Sequence, residues 1–169
     1  MDYLWTPWRY QYVSQPAAAG GNPACIFCEA LKRKDDAETL ILFRGRKNFV
    51  LLNRYPYTTG HAMVAPYEHV GELERAPAET LAEMVELCQR LQRAFAKEYK
   101  PDGYNLGMNL GRIAGAGVAD HLHMHVLPRW AGDTSFMTTV GEARVEPEEL
   151  ATTFEKLKRH FDKARRKIS

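Results

Sequence analysis

His121-Leu122-His123-Met124-His125-Val126-Leu127-Pro128 places three imidazoles at every second position, with apolar residues between them. In an extended strand, successive side chains point to opposite faces. The alternation predicts a strand with His121, His123 and His125 on one face, and Leu122, Met124 and Val126 turned into a core. Half of the chain's six histidines lie in the five residues 121–125. A half-buried strand needs only polar residues on its open side, and Thr, Ser or Lys would serve. Three imidazoles in register point to a site. They could hold a metal through neutral ring nitrogens. Alternatively, one could be a nucleophile whose neighbours set its tautomer and supply a proton.

Just upstream, Gly111-Arg112-Ile113-Ala114-Gly115-Ala116-Gly117 is a glycine-rich loop. Glycines let backbone N–H groups approach an anion closely, as phosphate-binding loops do, although an ordinary turn would read the same way. Arg112 could add a charge for phosphate. Before it, Tyr104–Leu110 reads as a strand, and Pro101, Asp102 and Gly103 end a helix spanning about Ala78–Tyr99. In that helix Leu81, Met84, Val85, Cys88, Leu91 and Phe95 recur at three- and four-residue intervals, with Glu and Arg or Gln on the outer side. Three earlier strands are expected at Thr39–Arg44, Lys47–Leu52 and His61–Pro66. Gly45 turns the first pair, and a loop spans Asn53–Gly60. A basic helix closes the chain from about Pro147 to Arg166, its cations read as a solvated face. Short turns between sequential strands favour antiparallel pairing. The expected class is α+β: an antiparallel sheet with one long covering helix and a C-terminal helix.

At 169 residues the chain has room for one sizeable core. Residues 1–24 read as an aromatic arm (Tyr3, Trp5, Trp8, Tyr10, Tyr12) and a linker, and 25–169 as a single domain. A formal charge of +2 is too small to imply a nucleic-acid partner. No apolar run nears the roughly 20 residues that cross a bilayer, and the N-terminus lacks the form of a signal peptide. These features imply a cytoplasmic protein without a membrane partner.

Three cysteines, two of them in Cys25-Ile26-Phe27-Cys28, do not form a secreted disulfide framework. The pair could be redox-active, simply buried, or half of a zinc site. For zinc, His69 and His121 are the remaining candidates by elimination, and Cys2His2 would close a tetrahedral structural centre.

HLHMHVL matches the His-φ-His-φ-His-φ-φ pattern (φ apolar) of the histidine triad family of nucleotide hydrolases and transferases, and the chain resembles that family from about Cys25 to Asp133. LLNRYPYTTGHAMVAPYEH looks like the family's earlier block and NLGRIAGAG like its phosphate loop. The cysteine pair resembles a zinc-bearing branch similar in layout to galactose-1-phosphate uridylyltransferase. LWTPWRYQYV resembles the bacterial diadenosine-tetraphosphate phosphorylase-like branch.

The resemblance implies structural zinc on Cys25, Cys28, His69 and His121. It implies His123 as a nucleophile that takes a nucleotidyl group, with His125 near the phosphate and the leaving oxygen. Asn53 corresponds to the residue that holds the ribose hydroxyls, His61 to a supporting histidine, and Asn109 to an amide near the α-phosphate. Gly111, Gly115 and Gly117 fall in the phosphate loop. A homodimer paired edge to edge is implied, with a nucleoside polyphosphate such as a dinucleoside polyphosphate, or a phosphoramidate, as substrate. Gly117 stands where many members carry Gln or Ser, which leaves the leaving group and the acceptor, water or phosphate, open. Two rival readings remain. One is a zinc hydrolase with all three histidines on a catalytic metal; the other is a nucleotide- or RNA-binding module without turnover.

Overall fold

A computed structural model describes residues 25–133 and 148–165, with side chains through Asp162. The expected arm and linker at 1–24 lie outside the described residues. The chain runs α1 (Ile26–Lys32), α2 (Asp36–Thr39), β1 (Ile41–Arg44), β2 (Asn48–Leu52), β3 (Ala62–Pro66) and a 3-10 turn (Leu73–Arg75). It continues through α3 (Ala78–Glu98), β4 (Gly103–Gly107), β5 (Met124–Arg129) and α4 (Leu150–Arg165). The described strands form one antiparallel sheet of five in the order β1-β2-β3-β5-β4. The α+β class expected from the sequence is the one observed. Because β5 inserts between β3 and β4, His125 lies opposite Met63 on one side and Gly107 on the other.

Alternation along the strands gives the sheet two apolar faces. Val50, Leu52, Ala62, Val64 and Val126 pack against Met84, Leu87, Cys88, Leu91 and Phe95 of α3 and against Phe154, Leu157 and Phe161 of α4. On the other face, Ile41, Phe49, Leu51, Met63 and Ala65 cluster with Phe27 of α1. That smaller cluster ends where the histidines begin.

The structure departs from the sequence reading at several places outside the site, and the strand expected at Tyr104–Leu110 ends at Gly107. Thr39 belongs to α2 rather than to a strand: the Asp35 carboxylate accepts from the N–H groups of Ala37 and Glu38 (2.9 and 3.1 Å), and left-handed Leu40 (φ 60°) turns the chain into β1. On α3, Val85 is exposed and Leu87 takes its expected place in the core. Glu83, expected on the outer side, is only 5% exposed. Its carboxylate accepts from the backbone N–H groups of Arg46, Lys47 and Asn48 at 2.7, 2.6 and 2.9 Å, binding the β1–β2 turn to the helix. Burial works to raise the Glu83 pKa, but these donors and the Asn48 amide outweigh it and hold it below the ordinary value.

As far as Asp162, the C-terminal helix buries Phe154, Leu157 and Phe161, and its described cations are paired. Lys158 reaches Asp36 (3.0 Å) and the Ile41 carbonyl (3.1 Å), Arg159 pairs with Glu98, and Lys156 pairs with Glu148. The Arg90 guanidinium lies beside the stacked rings of Phe43 and Phe161, 4.2 and 4.4 Å from their centroids.

Candidate functional site

The expected uninterrupted histidine strand does not form. β5 begins at Met124, and His121 and His123 lie in the segment before it. Leu122 N–H donates instead to the Val70 carbonyl (2.7 Å), drawing this segment against the loop that carries His69. Gly71 permits that approach, since a Cβ there would come within 2.7 Å of the Ala119 carbonyl oxygen. The row therefore divides at Leu122, and its first ring serves a different centre from the other two.

On one side, Cys25 Sγ lies 3.3 Å from His121 Nδ1, and Cys28 Sγ lies 3.4 Å from His69 Nδ1 and 3.7 Å from His121 Nδ1. All four donor atoms fall within 4.8 Å of one another. Metal–sulfur and metal–nitrogen bonds of about 2.3 and 2.0 Å at tetrahedral angles put the donors roughly 3.5 Å apart. The spacing and the donor chemistry thus fit one tetrahedral soft-to-borderline cation. His121 Nε2–H donates to the Pro66 carbonyl (2.9 Å), which leaves the lone pair on Nδ1, the atom facing the thiols. Burial pushes the Cys28 thiol up and the neighbouring Cys25 adds to this; a bound cation would reverse it. Among the described residues this is the one group of three or more His, Cys, Asp or Glu with such spacing. His123 and His125 are not in it, so the three triad rings do not converge on a single ion.

On the other side, hydrogen bonds assign the tautomers. His123 Nδ1–H donates to the His121 carbonyl (2.9 Å), so Nε2 carries a lone pair. His61 Nδ1 accepts from the Tyr57 backbone N–H (3.1 Å) and from the Asn53 amide (3.3 Å). The proton of a neutral His61 is then on Nε2, which donates to His125 Nδ1 (2.9 Å). His125 in turn carries its proton on Nε2. The ring centroids of His123 and His125 are 4.9 Å apart, so a lone pair and an N–H donor stand side by side. Burial lowers the pKa of His123, partly offset by the His121 carbonyl. Burial and the neighbouring His123 bring His125 down to about 4. Both rings are neutral near pH 7.

Asn53 is at the end of β2, where its Oδ1 accepts from Tyr55 N–H (2.9 Å) and its amide braces His61. The chain leaves β4 for the glycine loop beside His125, because Gly107, the last residue of the strand, pairs with it in the sheet. Gly111 and Gly115 have φ of 83° and 91°, a region in which other residues are strained, while Gly117 is exposed with ordinary φ. The Asn109 amide donates to the Gly115 carbonyl (3.3 Å) and braces the loop.

The sequence reading passed over Tyr57 and Phe27. Tyr57 sets the His61 tautomer through its main chain, and its ring lies tilted against His61 (4.7 Å between centroids) and stacks on His125 (6.2 Å). Phe27, only 1% exposed, touches the rings of His121 and His123 at 5.0 and 5.1 Å. Its place inside Cys-x-x-Cys was the available signal.

The family model of the HIT domain matches residues 34–132. The chain belongs to the HIT family. Among HIT relatives, a Mycobacterium tuberculosis protein named AP-4-A phosphorylase is 39% identical over 158 residues, covering 90% of this chain and 80% of its own. Adenosine 5'-monophosphoramidase HNT1 of Saccharomyces cerevisiae is 33% identical over 117 residues, covering 69% of this chain and 68% of its own. A Zn-bound histidine triad family protein from Mycobacterium smegmatis superposes with a TM-score of 0.68 at 28% identity, covering 87% of this chain and 99% of that one.

Proposed function

We propose that this HIT protein is a nucleotidyl hydrolase or transferase that cleaves nucleoside polyphosphates, dinucleoside polyphosphates among them, through a covalent nucleotidyl-histidine intermediate. The observation that carries this is the tautomer pair: a buried, neutral His123 with its lone pair on Nε2, beside a His125 that offers Nε2–H. His123 Nε2 attacks the α-phosphorus, and the bond from phosphorus to the leaving oxygen breaks. The ring gains positive charge, which the His121 carbonyl stabilises through Nδ1–H. His125 Nε2–H donates to the phosphoryl or leaving oxygen, and the amides of the Gly111–Gly117 loop and Asn109 face the phosphates. Asn53 holds the ribose, with His61 fixing His125 from behind. An acceptor oxygen then attacks the same phosphorus and the Nε2–P bond breaks, restoring the free ring. With water the product is a nucleoside monophosphate; with inorganic phosphate it is a diphosphate. The M. tuberculosis relative's name favours phosphate.

Zinc fits the metal centre, with Cys25, Cys28, His69 and His121 as ligands. All four positions are filled by protein, so it supplies folding energy rather than an open coordination site. Thiolate ligands suit a reducing, cytoplasmic setting, and no described helix is long and apolar enough to cross a membrane. The chain pairs as a homodimer along β4, an edge strand whose Leu106 and the following Leu110 are exposed.

Brief incubation with a dinucleoside polyphosphate labelled at the α-phosphorus tests the chemistry. The expected result is labelled protein, stable in base and lost in acid, with the label chased by phosphate or water. Continued turnover without label, even when phosphate is omitted or Asn109 is replaced to slow the second step, would sink covalent catalysis.

A further inference from the structure

The metal cluster and the nucleophile meet at one residue. His121 offers Nδ1 to the cluster, and its main-chain carbonyl accepts the proton of His123 Nδ1 at 2.9 Å. A second link runs through α1. Cys25 immediately precedes this helix and Cys28 lies within it, while Phe27 between them packs on both His121 and His123. The seven-residue helix has no side-chain cap at its N-terminus and is too short to persist by its own hydrogen bonds. The set of four donor atoms ties it to the His69 loop and, together with the Phe27 ring, to His121.

We propose that the metal centre positions the nucleophile, with the His121 carbonyl and the Phe27 ring as the two connecting parts, so that metal loading governs turnover as well as stability. This rests on the reading above of His123 as nucleophile and of the four-residue cluster as a metal site. Without the ion, the thiols and imidazoles keep only single S–H···N contacts of 3.3–3.7 Å in place of metal bonds, and the cluster loosens. The His121 carbonyl and the Phe27 wall then shift relative to His123. An imidazole without its acceptor populates both tautomers, and the Nε2–H form has no lone pair on the attacking nitrogen. His121 and Phe27 are positioning residues here, because neither needs to touch substrate.

The test reads the His123 ring directly. Protein with 15N-labelled histidine is compared by NMR with zinc bound, after chelation, and after zinc is returned, and folding is checked by circular dichroism. The zinc-loaded protein should show the Nδ1–H tautomer at His123. The zinc-free protein should show mixed tautomers, with kcat lower by about tenfold or more and KM within about twofold, and zinc should restore both. Native His123 signals and full turnover in folded, zinc-free protein overturn the proposal. If that protein does not fold, Phe27→Leu carries the test. Retained zinc with mixed tautomers and reduced kcat supports the coupling, and native signals with native kcat overturn it. The ring signals need no substrate. A zinc-loaded wild type that cleaves no nucleotide therefore fails the functional reading separately.

Discussion

Cys25, Cys28, His69 and His121 form one group, and His123, His125 and His61 form another. Both groups rest on imidazoles a few residues apart, yet their hydrogen bonds leave them suited to different tasks. In the first, His121 gives its Nε2 proton to a carbonyl and turns a lone pair towards two thiols, so that every donor atom points inward. In the second, His123 gives its Nδ1 proton to a carbonyl and keeps its lone pair on the outer nitrogen, with the His125 N–H beside it. A backbone carbonyl decides each case. The same side chain is suited to bind a cation or to attack as a nucleophile according to which ring nitrogen meets the main chain.

Replacing the proposed nucleophile breaks the comparison most sharply. His123→Asn should lower kcat by at least roughly 10⁴-fold and abolish labelling of the protein, while nucleotide affinity and melting temperature stay near wild type. Steady-state kinetics with a binding titration check this, and substantial residual turnover would remove His123 from its role. Cys25→Ser should do the reverse. Zinc, about one per chain in the wild type, should be lost, and stability should fall by an amount on the order of several kcal/mol. Turnover, measured where the variant is still folded, should fall far less than in His123→Asn. Metal analysis and urea unfolding read this outcome.

The second region also has its own pH signature. His125 has a folded pKa of about 4 against about 6.5 when unfolded. Between those values the unfolded chain binds a proton that the folded chain does not. Stability is therefore full above about pH 6.5 and falls as the pH drops towards 4, by about 3 kcal/mol at most for this group. His125→Gln should show a smaller loss between pH 7 and pH 4.5 in parallel urea titrations; an equal loss would place the effect elsewhere. The smallest effect concerns the partition itself. Gly71→Ala puts a methyl against the Ala119 carbonyl and should cost about 1–3 kcal/mol, with weaker zinc retention, by thermal melting and metal analysis.

The period-two apolar runs, the three- and four-residue spacing of the long helix and the short turns carried the α+β class in local order alone. The triad motif and the cysteine pair named the candidate chemistry, and the four-residue metal set could be reached by elimination because few histidines remained. Glu83 escaped because a charged residue in a helix reads as solvent-facing until three N–H donors from a distant turn surround it. Tyr57 escaped because a loop tyrosine reads as solvent-facing until the chain folds back four residues on to His61, and Phe27 because only its place inside Cys-x-x-Cys marked it. The sequence by itself determined which residue types and strand alternation were available: three imidazoles, two thiols, a glycine loop and an antiparallel sheet. Only the tertiary structure decided that the row divides at Leu122 and which nitrogen of each ring is free. Tautomers are set by carbonyl and N–H partners such as His121, Pro66 and Tyr57, and for His121 and His125 those partners arrive from strands and loops far away in the chain.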